Sequence, residues 1–167
     1  EARESRYFLS INRNKESVAL DFKTPEGRDI LDQLIARADI LVENFRPGTL
    51  AKQGLDYNTL AQKHPRLIYA SISGFGQTGP YKDRPGFGRI GNAFGGLSFL
   101  AGYPDRAPVT PGSATIPDYL AGIYGAMGAL LAVVFCVVYG RINLTARALA
   151  ALTAGGLLGK VSKIGDA

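Results

Sequence analysis

Ile40-Leu41-Val42-Glu43-Asn44-Phe45-Arg46-Pro47-Gly48 decides the fold. A short aliphatic run passes directly into a polar segment and a Pro-Gly turn, the pattern of a strand ending at a loop. Upstream, Ser17-Val18-Ala19-Leu20-Asp21 is a second β-type run. Thr24-Pro25-Glu26 follows it as a helix start, with a capping side chain, a proline at the first helical position and an early acid. Ile30, Leu31, Leu34, Ile35 and Ala38 then recur at helical spacing, which predicts one apolar face covering a sheet. Downstream, Thr49 to Gln53 reads as a short helical turn closed by Gly54. Asp56 suits the cap of a helix through Leu60 to Gln62, stopped by His64-Pro65, and Leu67 to Ile72 is a further strand. The order β-α-β-α-β predicts an α/β fold with a parallel sheet and right-handed crossovers. Ligands in such sheets sit beyond the carboxyl ends of the strands, so Asn44-Phe45-Arg46 and Ser73-Gly74-Phe75 are predicted to open on one edge.

The 167 residues suffice for one ordinary domain, and 46% hydrophobic content provides a core. The net charge of +5 fits an anionic ligand, but the basic residues are scattered. No basic helix, aromatic RNA-binding signature or zinc-ligand spacing accompanies them, so no nucleic-acid partner is expected. A single cysteine, Cys136, excludes an intrachain disulfide and a cysteine-only metal cluster. No apolar signal segment is visible in Glu1 to Arg6, and a cytoplasmic location is the expectation.

Gly74-Phe75-Gly76-Gln77-Thr78-Gly79-Pro80 permits close backbone approach, but its spacing is neither a dinucleotide fingerprint nor a P-loop, and by itself it reads as a structural loop. Gly86-Phe87-Gly88 and Gly95-Gly96 are expected to add flexibility. A proline-rich connector from Pro104 to Gly112 leads to Ile116-Pro117-Asp118-Tyr119-Leu120-Ala121-Gly122. Asp118 taken alone is a helix cap before an apolar run. Phe45 alone could be core, and Arg46 with Lys52 a solvated face.

Five segments in order carry a resemblance: Phe8 to Lys15, Leu20 to Gly27, Glu43 to Gly48, Gly74 to Pro80 and the Asp118 segment. Together they resemble the class III CoA-transferase family, the formyl-CoA and carnitine CoA-transferase type, from Phe8 to about Ala132. The resemblance implies a partial Rossmann-like parallel sheet with flanking helices, and Asp118 as nucleophile. In the family that carboxylate attacks an acyl-CoA thioester to give an aspartyl mixed anhydride, CoA thiolate returns to form an aspartyl-CoA thioester, and an acceptor acid takes the CoA. Covalent catalysis of this kind divides one hard exchange into easier steps. The backbone of Gly95-Gly96 or of Gly74 to Gly79 is a candidate for the oxyanion.

Leu20, Lys23, Asn44, Phe45, Arg46 and Lys52 fall at positions that contact CoA in the family. Arg46 and Lys52 suit phosphate by charge, Phe45 an apolar or stacking contact, and Asn44 offers a donor and an acceptor. Asn12, Arg13 and Lys15 are further candidates to face the nucleotide, although a basic turn explains them as well. The resemblance implies acyl-CoA and a small carboxylic acid as substrates, possession of no metal or cofactor beyond coenzyme A, and an interlocked homodimer for an intact relative. A short dicarboxylate is the preferred acid.

Three alternatives compete. Racemases of 2-methylacyl-CoA share many of these motifs, but place a histidine in the segment where this chain has Arg84 to Gly88. His64, the one histidine, sits at a predicted helix end and reads as a surface or capping residue. Gly88 and Asn92 also depart from the Asp or Glu and the Gln that many transferases of the family carry, which bears on local substrate contacts. The second and third alternatives are an inactive membrane-associated chain and an interaction fragment. Leu120 to Tyr139 holds twenty uncharged residues in succession, enough to cross a bilayer at about 1.5 Å per residue. Against a membrane span, Gly122, Gly125 and Gly128 recur every third residue in what the family uses as a buried helix, and no basic cluster follows Arg141. The expected organisation is a partial transferase domain over residues 1–132 and an apolar tail over 133–167 unlike the family. The chain is expected to be a fragment, without the family's first nucleotide-binding unit and its C-terminal part, and inactive alone.

Overall fold

A computed structural model describes residues 5–113 and 115–139. The chain divides into two compact units, the first ending at Arg37 and the second beginning at Ala38.

In the first unit, α1 (Arg6–Asn12) and α2 (Pro25–Arg37) flank an irregular segment. The predicted start of α2 is present in detail: Thr24 Oγ1 accepts from the Gly27 N–H at 3.1 Å, and Pro25 opens the helix where its missing N–H costs nothing. Gly27 is fixed by contact, since a Cβ there would lie 2.0 Å from the Asp21 carbonyl oxygen. Two expectations are corrected. Ser17 to Asp21 is not a strand, because β structure exists only where a neighbour completes the hydrogen-bonded ladder, and Ile40–Glu43 and Ile68–Ser71 pair with each other instead. The apolar face of α2 is only partly covered: Ile35 is buried, while Ile30 and Leu34 are exposed.

The second unit is built on two parallel strands, β1 (Ile40–Glu43) and β2 (Ile68–Ser71), paired Ile40 with Ile68 through Glu43 with Ser71. Between them lie a 3-10 turn (Ala51–Gln53) and α3 (Tyr57–Lys63). Gly54 closes the first in the left-handed conformation that glycine adopts without strain. Asp56 caps the second, accepting from the Thr59 N–H at 3.2 Å and from the Thr59 hydroxyl at 2.7 Å. His64 ends α3, its N–H donating to the Leu60 carbonyl at 2.7 Å. Beyond β2 come α4 (Gly88–Phe94), α5 (Leu97–Leu100) and the long α6 (Ile116–Tyr139).

All four residues of β2 are buried, whereas β1 alternates between exposed and half-buried positions. Ile68 and Ala70 of β2 share a core with Ala129 and Ala132 of α6. Small residues on the helix allow this approach: Ala121, Gly128, Ala129 and Ala132 form its buried stripe. The large side chains of α6, including Leu120, Ile123, Met127, Leu130, Leu131 and Val134, are exposed. Burial predicted for this helix is therefore confined to its small-residue stripe. By length and composition Ile116–Val137 is apolar enough to cross a membrane.

Candidate active site

Parallel pairing sends the segments after β1 and β2 out of the same sheet edge, as expected for this topology. Glu43, the last residue of β1, ties them together. One carboxylate oxygen accepts from the Ser71 hydroxyl at the end of β2, and the other accepts from the Phe45 N–H at 2.8 Å. The chain then turns sharply, with the Thr49 N–H donating to the Arg46 carbonyl at 3.0 Å and Gly48 at φ +80°. An acid two residues before Phe45 thus presets the backbone that carries Asn44, Phe45 and Arg46.

Two adjoining cavities share Arg46 and Pro47. The first, about 200 Å³, is bounded by Glu43, Arg46, Asp56, Tyr57, Tyr69, Ser71 and Gln77. Tyr69 donates its hydroxyl to the Leu55 carbonyl at 3.1 Å. Burial, and then the negative charges of Glu43 and Asp56, push its phenol far above the ordinary range, so it remains a neutral donor. The hydrogen bond from the Thr59 hydroxyl holds the Asp56 carboxyl below its usual value, with burial opposing.

The second cavity, about 100 Å³, lies among Asn44, Phe45 and Arg46 after β1, Ser73 and Gly74 after β2, and Arg84 to Phe87. Here the backbones of Gly74 and Gly86 touch. A Cβ on Gly74 would lie 2.3 Å from the Gly86 Cα, and one on Gly86 would lie 2.4 Å from the Gly74 Cα. Gly86 is therefore a point of fixation between two loops, correcting the expectation that its segment adds flexibility. Gln77 reinforces the post-β2 loop by donating to the Ser73 hydroxyl at 3.1 Å.

Asp118 stands exposed in the first turn of α6. That turn packs on α4, where a Cβ at Gly91 would meet the Pro117 ring at 2.9 Å. Asn92, only 1% exposed, donates its amide to the Ser113 carbonyl at 3.1 Å and so anchors the segment entering α6. Its Oδ1 has no hydrogen-bond partner among the described residues.

Of the candidate residues, Asn44, Phe45 and Arg46 converge on one cavity. Lys52 is exposed in the 3-10 turn, beside the Ala51 that bounds the first cavity. Asp118 and Lys52 line neither of these two cavities. Leu20, half-buried, and Lys23, exposed, belong to the first unit, where the Lys23 N–H donates to the Asp21 carboxylate at 3.0 Å. Sequence reasoning passed over Glu43, Arg84 and the anchoring role of Asn92. A carboxylate at a strand end two residues before an exposed turn is the signal that could have found Glu43.

Residues 1–141 match CoA-transferase family III. The chain belongs to this family. It is 55% identical over 125 residues to the succinyl-CoA–L-malate CoA-transferase beta subunit of Chloroflexus aurantiacus, covering 75% of this chain and 31% of that protein. It is 43% identical over 129 residues to the succinyl-CoA:glutarate CoA-transferase of Homo sapiens, covering 77% of this chain and 29% of the relative. The family III chain thus spans less than a third of the length of these curated relatives. Among solved structures it superposes with a TM-score of 0.77 on a CAIB/BAIF family protein from Brucella suis, at 37% identity, over 92% of this chain and 40% of that one. The α/β architecture and the CoA-transferase class are those of the family.

Proposed function

We propose that this chain supplies the nucleophile and part of the coenzyme A site of an enzyme that transfers CoA from an acyl-CoA to a carboxylic acid. Asp118 attacks the thioester carbonyl; the C–S bond breaks, giving an aspartyl mixed anhydride and CoA thiolate. The thiolate then attacks the aspartyl carbonyl, forming an aspartyl-CoA thioester and releasing the donor carboxylate. The acceptor carboxylate displaces the thiolate to form a second anhydride, and return of the thiolate to the acceptor carbonyl yields the new acyl-CoA and regenerates Asp118. Every enzyme-bound intermediate is an anhydride or a thioester, so the activation of the donor thioester passes to the acceptor acid.

The observation that carries this reading is the convergence of Asn44, Phe45 and Arg46 with the post-β2 loop at one cavity on the sheet edge where such folds bind ligands. Arg46 and Lys52 would meet CoA phosphates, and Phe45 the adenine or pantetheine. Relatives are named for L-malate, D-citramalate, glutarate and oxalate as acids, and for succinyl-CoA or acetyl-CoA as donors. A short dicarboxylic acceptor with succinyl-CoA as donor is the corresponding assignment here. A cytoplasmic homodimer, closed by a second copy of the polypeptide, completes the proposal.

Hydroxylamine trapping tests it on the protein as encoded by its gene. Incubation with succinyl-CoA and hydroxylamine should place a hydroxamate on Asp118, read by peptide mass spectrometry. Asp118→Ala should abolish both the label and CoA transfer, a loss on the order of a thousandfold or more as for removal of other covalent nucleophiles. Transfer retained in that variant, or a label on another residue, would remove Asp118 from the role.

A further inference from the structure

The cavity after β1 is lined by a second arginine to which the family motifs assign nothing. Arg84 lines it together with Arg46, from a different loop. Among the described residues, neither guanidinium has a carboxylate partner or donates a hydrogen bond. Two like charges at one small cavity repel, and an anion between them turns that cost into attraction.

Arg84 is also held in place. Its N–H donates to the Tyr81 carbonyl at 2.9 Å, and its guanidinium carbon lies 4.3 Å from the centre of the Tyr81 ring. Tyr81 belongs to an aromatic cluster, 5.8 Å from Phe75 and 5.6 Å from Phe94. Stacking uses the face of a guanidinium and leaves its in-plane N–H donors unspent. Two residues on, the contact of Gly86 with Gly74 fastens the same loop to the loop after β2. A cationic fork without an acidic partner, preset by stacking and backbone contact, matches phosphate oxygens better than a freely moving surface arginine.

We propose that Arg84 is a phosphate-binding residue that, with Arg46, grips the diphosphate of a CoA thioester. The proposal rests on the CoA-transferase reading, which assigns Arg46 but not Arg84. A cavity of about 100 Å³ suits a phosphate group and not a whole nucleotide.

Titration calorimetry on the protein as encoded tests the site with inorganic pyrophosphate first and CoA second, in the wild type, Arg84→Gln and Arg84→Lys. Arg84→Gln should weaken both ligands roughly tenfold, the scale of one lost charge-assisted contact. Pantetheine, which lacks the diphosphate, should bind both proteins equally. Arg84→Lys should recover part of the loss, because it keeps the charge without the fork. Pyrophosphate binding that is undetectable in the wild type, or unchanged in Arg84→Gln, overturns the proposal. So does a loss confined to succinate, which would make the bound anion a substrate carboxylate. If Arg84→Gln unfolds, Arg84→Lys decides, and affinity for pyrophosphate equal to wild type overturns the assignment. Loss of pyrophosphate affinity in Arg84→Gln, with Asp118 unlabelled by succinyl-CoA in the wild type, would leave the anion site standing and remove the transferase reading.

Discussion

Gly74 and Gly86 illustrate how much a single hydrogen can decide. Both looked like loop residues in the sequence, and neither carries the positive φ that usually marks an obligatory glycine. Their role is proximity: each backbone occupies the space where the other's Cβ would be. Gly86→Ala is expected to lower stability by about 1–3 kcal/mol, the cost of overpacking, measured by urea unfolding. An alanine variant as stable as wild type would show that the two loops do not touch. Glu43 teaches the complementary lesson. Its side chain spends both carboxylate oxygens on neighbours, so its effect on any ligand passes through the backbone of Phe45 and the turn that presents Arg46. Asp118, by contrast, is a candidate through motif order alone, since an exposed acid in the first turn of a helix has no chemistry that distinguishes it from a cap.

Among the elements, α3 follows most directly from local chemistry. Asp56 and the His64-Pro65 stop fix its ends, and the structure gives Tyr57–Lys63 between them. Asp56→Ala should cost about 1 kcal/mol by removing the cap. The carboxyl of Asp56 is held below its ordinary 3.8, so its contribution is complete above that pH and fades as the pH falls through the lowered value. The stability gap between wild type and Asp56→Ala should therefore narrow only below pH 3.8, measured by urea melts across the acid range. A gap that closed near neutrality would contradict an ionised cap. The failed element is the strand expected at Ser17 to Asp21. Its composition suits β structure, but strand formation is a property of pairs, and the ladder partner is not encoded in the segment itself.

At the scale of the whole molecule, α6 poses the main question, because the same twenty uncharged residues satisfy a core helix and a membrane span. Its small residues pack on β2 while its large apolar residues stay exposed. Since the stripe against the sheet is specific and built from alanines and glycine, the protein as encoded is expected not to float with phosphatidylcholine vesicles on a sucrose gradient. Flotation would assign the exposed face to lipid. The sequence by itself determined the alternation of strand and helix from Ile40 to Ile72, the parallel pairing, the helix caps and the family, because periodicity, turn chemistry and motif order are local or additive along the chain. Only the tertiary structure decided that Gly74 meets Gly86, that Glu43 bonds Ser71, that Asn92 anchors the approach to Asp118, and that Arg46 and Arg84 share a cavity. Each of these joins residues from separate loops or elements, and no local propensity specifies the distance between two segments that meet only when the chain has folded.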